Sequence, residues 1–323
     1  MTTSDIEIHL DRDDFAQSIR DDVRLGLSER PRWLPPKWFY DTRGSRLFDE
    51  ITRLPEYYPT RTERAILVRH AAEIAELTGA QSIIELGSGS SDKTRHLLDA
   101  VVAEGTLRSF TALDVSESAL REAVTSLAAG YPRLRVQGIV GDFTRHLSLL
   151  PRLEDRLVVF LGGTIGNLLP AERAGFLSAM RLALQPGEWL LLGTDLVKSP
   201  HILVPAYDDA AGVTADFNRN VLRVLNRELN STFDEDAFAH EAVWDAQQEW
   251  IEMRLRAQHP MRVEVPALDM TIAFDRDEVL RTEISAKFRR GGITDELAAA
   301  GFALRHWWTD PDQLFGVSLS VAV

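Results

Sequence analysis

Short apolar runs alternate with helical patterns through the middle of this chain. Ser82–Leu86 (SIIEL) is apolar and rich in β-branched residues, and it breaks at Gly87-Ser88-Gly89. From Thr94 to Ala103 the segment is amphipathic at helical spacing. Ser109–Val115 predicts a second strand and Glu117–Ala129 a second helix; Leu134–Val140 alternates as a third strand before Gly141-Asp142-Phe143. Leu157–Leu161 (LVVFL) and Trp189–Leu192 (WLLL) are unbroken apolar runs. Between them runs a helix that Pro170 opens in its first turn, where the missing N–H has no helical partner to lose. Strands without alternation, set between helices, predict a parallel sheet covered on both faces. The fold class is therefore α/β, a doubly wound, Rossmann-like sheet.

Near Asp195 the pattern changes. A long helical stretch, His201–Leu229, is expected, then Phe233–Trp250, then the alternating segments Met261–Leu268 and Met270–Phe274. α/β character returns with a helix over Asp295–Gly301 and strands over Phe302–Trp308 and Val317–Val323, whose hairpin would add an antiparallel edge. The expected organisation is a doubly wound domain of residues 62–196 plus 287–323, interrupted by a smaller α+β domain of residues 1–61 plus 197–286. The aromatic N-terminal segment (Trp33, Trp38, Phe39, Tyr40, Tyr57, Tyr58) is expected to pack beside the insertion.

Composition narrows the partners. Over 323 residues, 36 Lys+Arg stand against 49 Asp+Glu, for a formal charge of −13. That balance argues against nucleic acid and anionic membranes, which attract basic surfaces. Cysteine is absent, which excludes disulfides, thiolate metal sites and a Cys nucleophile. Asp5, Glu7, Asp11, Asp13 and Asp14 leave no apolar core for a secretory signal. No run of about 18 apolar residues occurs, so no membrane span is expected. The histidines are scattered without an H-E-x-x-H spacing, and no metal is expected. These features predict a cytoplasmic protein.

The candidate chemistry lies at the carboxyl edge of the sheet, where open α/β folds bind nucleotides. Gly87 and Gly89 follow the first strand and would let the backbone approach a ligand closely. No further glycine opens the next helix, so a pyrophosphate cradle is weakened. Asp114, ending the second strand, would accept ribose hydroxyls. Asp142 and Phe143 after the third would hold an adenine amine and stack on its ring. S-adenosylmethionine fits this set. The bland alternative is a Gly-rich turn with two helix-capping aspartates.

Eight further segments occur in order: Leu34–Phe39 (LPPKWF), Ile51–Thr60 (ITRLPEYYPT), Glu85–Gly89 (ELGSG), Phe160–Asn167 (FLGGTIGN), Gly193–Lys198 (GTDLVK), Ala206–Arg219 (AYDDAAGVTADFNR), Thr282–Phe288 (TEISAKF) and Trp307–Asp310 (WWTD). Over nearly its whole length the chain resembles the L-histidine Nα-methyltransferases of ergothioneine biosynthesis. The resemblance implies three methyl transfers from S-adenosylmethionine to the α-amine of histidine, giving hercynine. It carries substrate binding onto Tyr57, Asn167, Tyr207, Glu283 and Ser285, with Met253 lining the pocket and Phe217 adjacent. Tyr57, Gly162 and Asn167 would orient the reacting amine. The cofactor would sit on Tyr40, Gly87, Lys93, Asp114, Asp142 and Phe143.

Side-chain chemistry suits those roles. Asn167 and Tyr207 can donate to a carboxylate, Glu283 can accept an imidazole N–H, and the Ser285 hydroxyl can serve the ring. Gly162 and Gly163 would leave room for N-methyl groups. The chain departs from the family pattern at Ser90-Ser91-Asp92, Ser116, Gly163 and Ala286. Simpler readings remain beside these: Asn167 as a turn residue, Glu283 in a surface ion pair with Arg281 or Lys287. Two other functions also stand open, N-methylation of another amino acid such as tryptophan, and cofactor binding without catalysis. A monomer is expected.

Overall fold

The computed structural model describes residues 5–10, 12–89, 91 and 93–323; Ser90 and Asp92, two of the departures above, lie outside the described residues. Along the chain run β1 (Asp5–Ile8), α1 (Arg12–Ser28), β2 (Arg32–Trp33), α2 (Thr42–Ile51), α3 (Tyr58–Thr78), β3 (Ser82–Leu86), α4 (Thr94–Ala103) and β4 (Ser109–Asp114). Then come α5 (Glu117–Gly130), β5 (Arg135–Val140), β6 (Arg156–Phe160), α6 (Pro170–Ala183), β7 (Trp189–Asp195), α7 (Pro200–Tyr207) and α8 (Val213–Leu229). The chain closes with β8 (Phe238–Asp245), β9 (Trp250–Ala257), β10 (Met261–Val265), β11 (Met270–Phe274), β12 (Val279–Ala286), α9 (Arg290–Ala299), β13 (Phe302–Thr309) and β14 (Phe315–Ala322). Two compact units result. One gathers β1, Pro59–Val197 and Lys287–Val323; the other runs from α1 to Tyr58 and over Lys198–Ala286.

The first unit is built on an eight-stranded sheet in the order β1-β5-β4-β3-β6-β7-β14-β13. From β1 to β7 neighbouring strands are parallel. β14 runs antiparallel to both β7 and β13. Every residue of β3 and β6 is buried, as expected for strands covered on both faces. Ile74, Leu97, Phe110, Val124 and Val159 belong to the resulting core. Strand order reverses between β3 and β6, so the loops leaving their carboxyl ends diverge and open a crevice.

Three sequence expectations change here. β1, expected with the smaller domain, pairs in parallel with β5 at the edge of the large sheet. Its four residues are mostly exposed, so no apolar pattern announces it. α9 starts at Arg290 rather than Asp295. The final hairpin does not simply add an edge, because β14 sits inside the sheet beside β7 and β13 takes the edge.

The second unit holds a four-stranded sheet, β2-β12-β9-β8, and the hairpin β10-β11. Burial along β9 alternates, and α7 and α8 pack on β8 and β9. The continuous helix expected over His201–Leu229 is broken in two. Gly212 turns left-handed at φ 77°, and the Asp209 carboxylate accepts from the N–H groups of Val213 (3.0 Å) and Thr214 (2.7 Å) to start α8 afresh. The Phe233–Trp250 segment is β8 and its turn into β9, because pairing with β9 along its length overrides local preference. In the N-terminal aromatic segment, Phe39 is fully buried and packs on Phe217 of α8 at 4.7 Å between ring centroids. Among the described residues no helix is long and apolar enough to cross a membrane.

Candidate active site

In the first unit the loop after β3 turns left-handed at Gly87 (φ 63°) and Gly89 (φ 49°), a conformation that carries no Cβ penalty in glycine. Among the described residues a Cβ at either would meet nothing within 4 Å. Gly89 N–H donates to Asp114 Oδ2 and Ser116 N–H to Asp114 Oδ1, both at 2.9 Å. Asp114 thus braces the loop, and its carboxylate keeps acceptor capacity for a further donor. Burial raises the Asp114 carboxyl above its ordinary range, against the backbone donors of Ser116, Gly89 and Val115. The Ser88 hydroxyl is buried with no hydrogen-bond partner among the described residues. Such a group is costly unless something else satisfies it.

Asp142 also has a turn to hold: its Oδ1 accepts from Thr144 N–H at 2.8 Å and from the Thr144 hydroxyl at 2.6 Å. Phe143 is half-buried against Phe160 and Phe176, at 5.0 and 5.8 Å between centroids. Both aspartates therefore do the turn work of the bland reading and remain at the strand ends that a nucleoside requires. Loop geometry, the buried Ser88 hydroxyl, the two carboxylates and the phenyl face all fit S-adenosylmethionine. Among the described residues no group of His, Cys, Asp and Glu could hold a metal ion.

Lys93, expected at the cofactor, forms an ion pair with Glu63 of α3. Glu63 is completely buried, and its two oxygens also take the Gly162 N–H, at 2.8 and 3.0 Å. Nothing in the Thr-Arg-Thr-Glu-Arg run at residues 60–64 of α3 marks this residue, which reads as a solvent-facing helix. The signal lay elsewhere, in Gly193 within the apolar run of β7. A glycine inside a strand marks a close approach, and a Cβ at 193 would stand 2.0 Å from Glu63 Oε1.

After β6, Gly162 (φ 81°) and Gly163 (φ 68°) are both left-handed, and a 3₁₀ turn follows over Thr164–Asn167. A Cβ at Gly163 would meet Phe315 at 3.6 Å and Asp195 at 3.8 Å, which are ordinary contacts. Conformation, before room, is what favours glycine there. Asn167 ends the 3₁₀ turn, half-buried. Glu85, within the ELGSG motif, accepts from Ser91 at 2.7 Å and from Thr94. Burial pushes its carboxyl up to about 7, despite those donors and the Lys93 charge.

The second unit brings together Tyr40, Tyr57, Tyr207, Phe217, Met253, Glu283 and Ser285. The Tyr207 and Ser285 hydroxyls lie 2.8 Å apart in the interior. Tyr57 is 6.3 Å from Tyr207 and 6.2 Å from Phe48 between ring centroids. Tyr40, expected among the cofactor residues, packs on Phe217 (5.5 Å) and Phe48 (5.6 Å). Phe48 belongs to this aromatic cluster and was not expected, since in α2 it reads only as an amphipathic position. Register slips by one residue between Arg281 and Glu283. That bulge puts Glu283 and Ser285 on the face of Met253 and Ile251, and Arg281 on the other with Arg254. Arg281 approaches Glu252 at 3.9 Å, while Lys287 pairs with Asp195 at 2.9 Å.

The chain matches a family model described as histidine-specific, SAM-dependent methyltransferase over residues 19–322. It belongs to that family. A histidine N-alpha-methyltransferase of Mycolicibacterium smegmatis is 55% identical, covering 97% of this chain and 98% of the relative. An ergothioneine biosynthesis protein 1 of Neurospora crassa is 34% identical over 62% of this chain, which spans 24% of that longer protein. A 4-dimethylallyltryptophan N-methyltransferase of Epichloe festucae var. lolii is 30% identical, over 92% of each chain. The protein is thus an S-adenosylmethionine-dependent methyltransferase.

Two outcomes follow for this methyltransferase. Gly193→Ala should expel the Glu63 carboxylate and lower unfolding stability by about 3 kcal/mol or more. In a Glu63→Ala background the same change should cost about 1–2 kcal/mol less, as a urea-melt double-mutant cycle reads directly. Glu85 titrates in the folded state near 7, above its ordinary 4.5, so its protonated form favours folding. Its contribution is complete below about pH 4.5 and is lost as pH rises through about 7, a loss on the order of 3 kcal/mol. Glu85→Gln should flatten the fall in melting temperature between about pH 5 and pH 8.

Proposed function

We propose that this protein transfers three methyl groups from S-adenosylmethionine to the α-amine of L-histidine, giving hercynine for ergothioneine biosynthesis. Membership of a histidine-specific family and the names of the Mycolicibacterium and Neurospora relatives support this reading. The observation that carries it is the hydroxyl pair of Tyr207 and Ser285 at 2.8 Å, on a unit whose bulged strand turns Glu283 to the same face as Ser285. Each hydroxyl of the pair can both donate and accept. With a carboxylate acceptor on the same face, the set matches an imidazole, which has one donor and one acceptor.

In this reading Glu283 takes the ring N–H and Ser285 serves the other ring nitrogen. Asn167 and Tyr207 donate to the substrate carboxylate. Met253 lines the ring pocket. The Gly162 carbonyl and Tyr57 are assigned to orient the amine. Tyr57 also offers an aromatic face to a quaternary ammonium product. S-adenosylmethionine supplies a methyl group already bonded to a good leaving group. The protein's task is then alignment and water exclusion, and no residue is assigned as a dedicated general base. Tyr40, Gly87, Lys93, Asp114, Asp142 and Phe143 are assigned to the cofactor. The protein acts as a cytoplasmic monomer, and its charge of −13 speaks against a nucleic-acid or membrane partner.

A second reading, methylation of tryptophan or a derivative, draws on the Epichloe relative. An indole has one donor and no ring acceptor, so it would leave part of the Tyr207–Ser285–Glu283 set unpaired. Mass spectrometry after incubation with S-adenosylmethionine and each natural amino acid separately decides between the two. Trimethylated histidine is the expected product, and product from tryptophan in its place would establish the second reading. Glu283→Ala should lower kcat/KM for histidine by about 1–3 kcal/mol of transition-state binding while leaving cofactor affinity unchanged. A loss smaller than about twofold would remove Glu283 from the ring.

A further inference from the structure

Tyr207, Met253, Glu283 and Ser285 come from α7, β9 and β12, and one buried chain of hydrogen bonds reaches all three elements. Thr282, the residue at the bulge, shares its one hydroxyl proton between Asn218 Oδ1 at 2.6 Å and the Met253 carbonyl at 3.1 Å. Asn218 Nδ2 lies 2.8 Å from His240 Nδ1 and 3.1 Å from the Arg254 carbonyl. His240 Nε2 in turn lies 2.8 Å from the Tyr207 carbonyl. Asn218 and Thr282 are completely buried.

Chemistry fixes the direction of every bond. A carbonyl only accepts, so His240 Nε2 carries the proton; in the neutral ring Nδ1 then accepts from the Asn218 amide, whose oxygen accepts from Thr282. Burial lowers the His240 pKa, in keeping with a neutral ring, while Asp208 (3.8 Å from Nε2) and Asp209 oppose that fall and Arg219 adds to it. Asn218 is the one member that both accepts and donates twice. An aspartate there would have no donor for His240 or Arg254, and a leucine would have nothing to offer any of the three elements.

We infer that Asn218, with His240 and Thr282, is a positioning network that sets Tyr207 and the bulged Glu283–Ser285 strand in register to hold the substrate, resting on the histidine reading of those residues. The network touches the Tyr207, Met253 and Arg254 carbonyls and the Thr282 hydroxyl, and none of the recognising functional groups. It therefore governs where the recognising side chains stand and leaves the cofactor residues of the first unit alone.

Steady-state kinetics of the full chain test this with T282V, T282S and N218D, recording KM for histidine, KM for S-adenosylmethionine, kcat and melting temperature. T282V and N218D should raise the histidine KM about tenfold or more, with the S-adenosylmethionine KM within about twofold of wild type. T282S, which keeps the hydroxyl, should bring the histidine KM back to within about threefold of wild type. An unchanged histidine KM in T282V overturns the inference. A parallel rise of both constants with a lower melting temperature, or a T282S as impaired as T282V, overturns it as well. In those cases the wild type still methylates histidine and the substrate reading survives. Absence of methylated histidine from the wild-type chain overturns the substrate reading and the inference with it.

Discussion

The carboxylate of Glu63 lies out of water between one ammonium and one backbone amide. A buried charge of this kind is tolerated only when it is paired and hydrogen-bonded, and removing one partner typically costs about 3–5 kcal/mol. Three separate parts of the first unit answer to it. Lys93 comes from the loop that follows β3, Gly162 from the loop that follows β6, and Gly193 in β7 stays bare to make space. A single side chain on α3 thereby ties the two diverging loops at the reversal of strand order to a common point. Loops on which function depends are ordinarily the mobile parts of a fold. Here their shared anchor is as deeply buried as the core strands.

Much of the large sheet was legible because its physics is local. β6 and β7 carry continuous apolar runs, β3 and β4 are short apolar and β-branched segments ending at Gly or Asp, and α4, α5 and α6 show their periodicity and, for α6, the opening proline. What failed was what the chain settles elsewhere. β1 is a short, exposed strand held only by its partner β5, and β8 owes its conformation to β9 rather than to its own residues. The break between α7 and α8 was written in Asp209 and Gly212, but apolar spacing on either side concealed it.

Site residues were legible to different depths. The glycines after β3 and the aspartates ending β4 and β5 follow from the position of carboxyl edges. Their second duty, bracing turns, needed coordinates. Tyr207 and Ser285, whose hydroxyls meet, are 78 positions apart in sequence, and no spacing rule pairs them. Only resemblance to a family brought them together. Glu283 shows the limit most clearly: strict alternation would have left it beside Arg281, and one bulged residue sends the two to opposite faces.

That bulge has a further consequence. Thr282 bonds Asn218 and the Met253 carbonyl through its own hydroxyl, and neither bond involves the side chains of residues 283 and 285. The bulge separates the task of holding the strand from the task of choosing what lies against it. A lineage that kept Asn218, His240 and Thr282 would be able to exchange the two recognising side chains by single mutations, each step leaving a folded protein. The scaffold would then diversify toward other amines one viable intermediate at a time, with no need to invent a new fold for each.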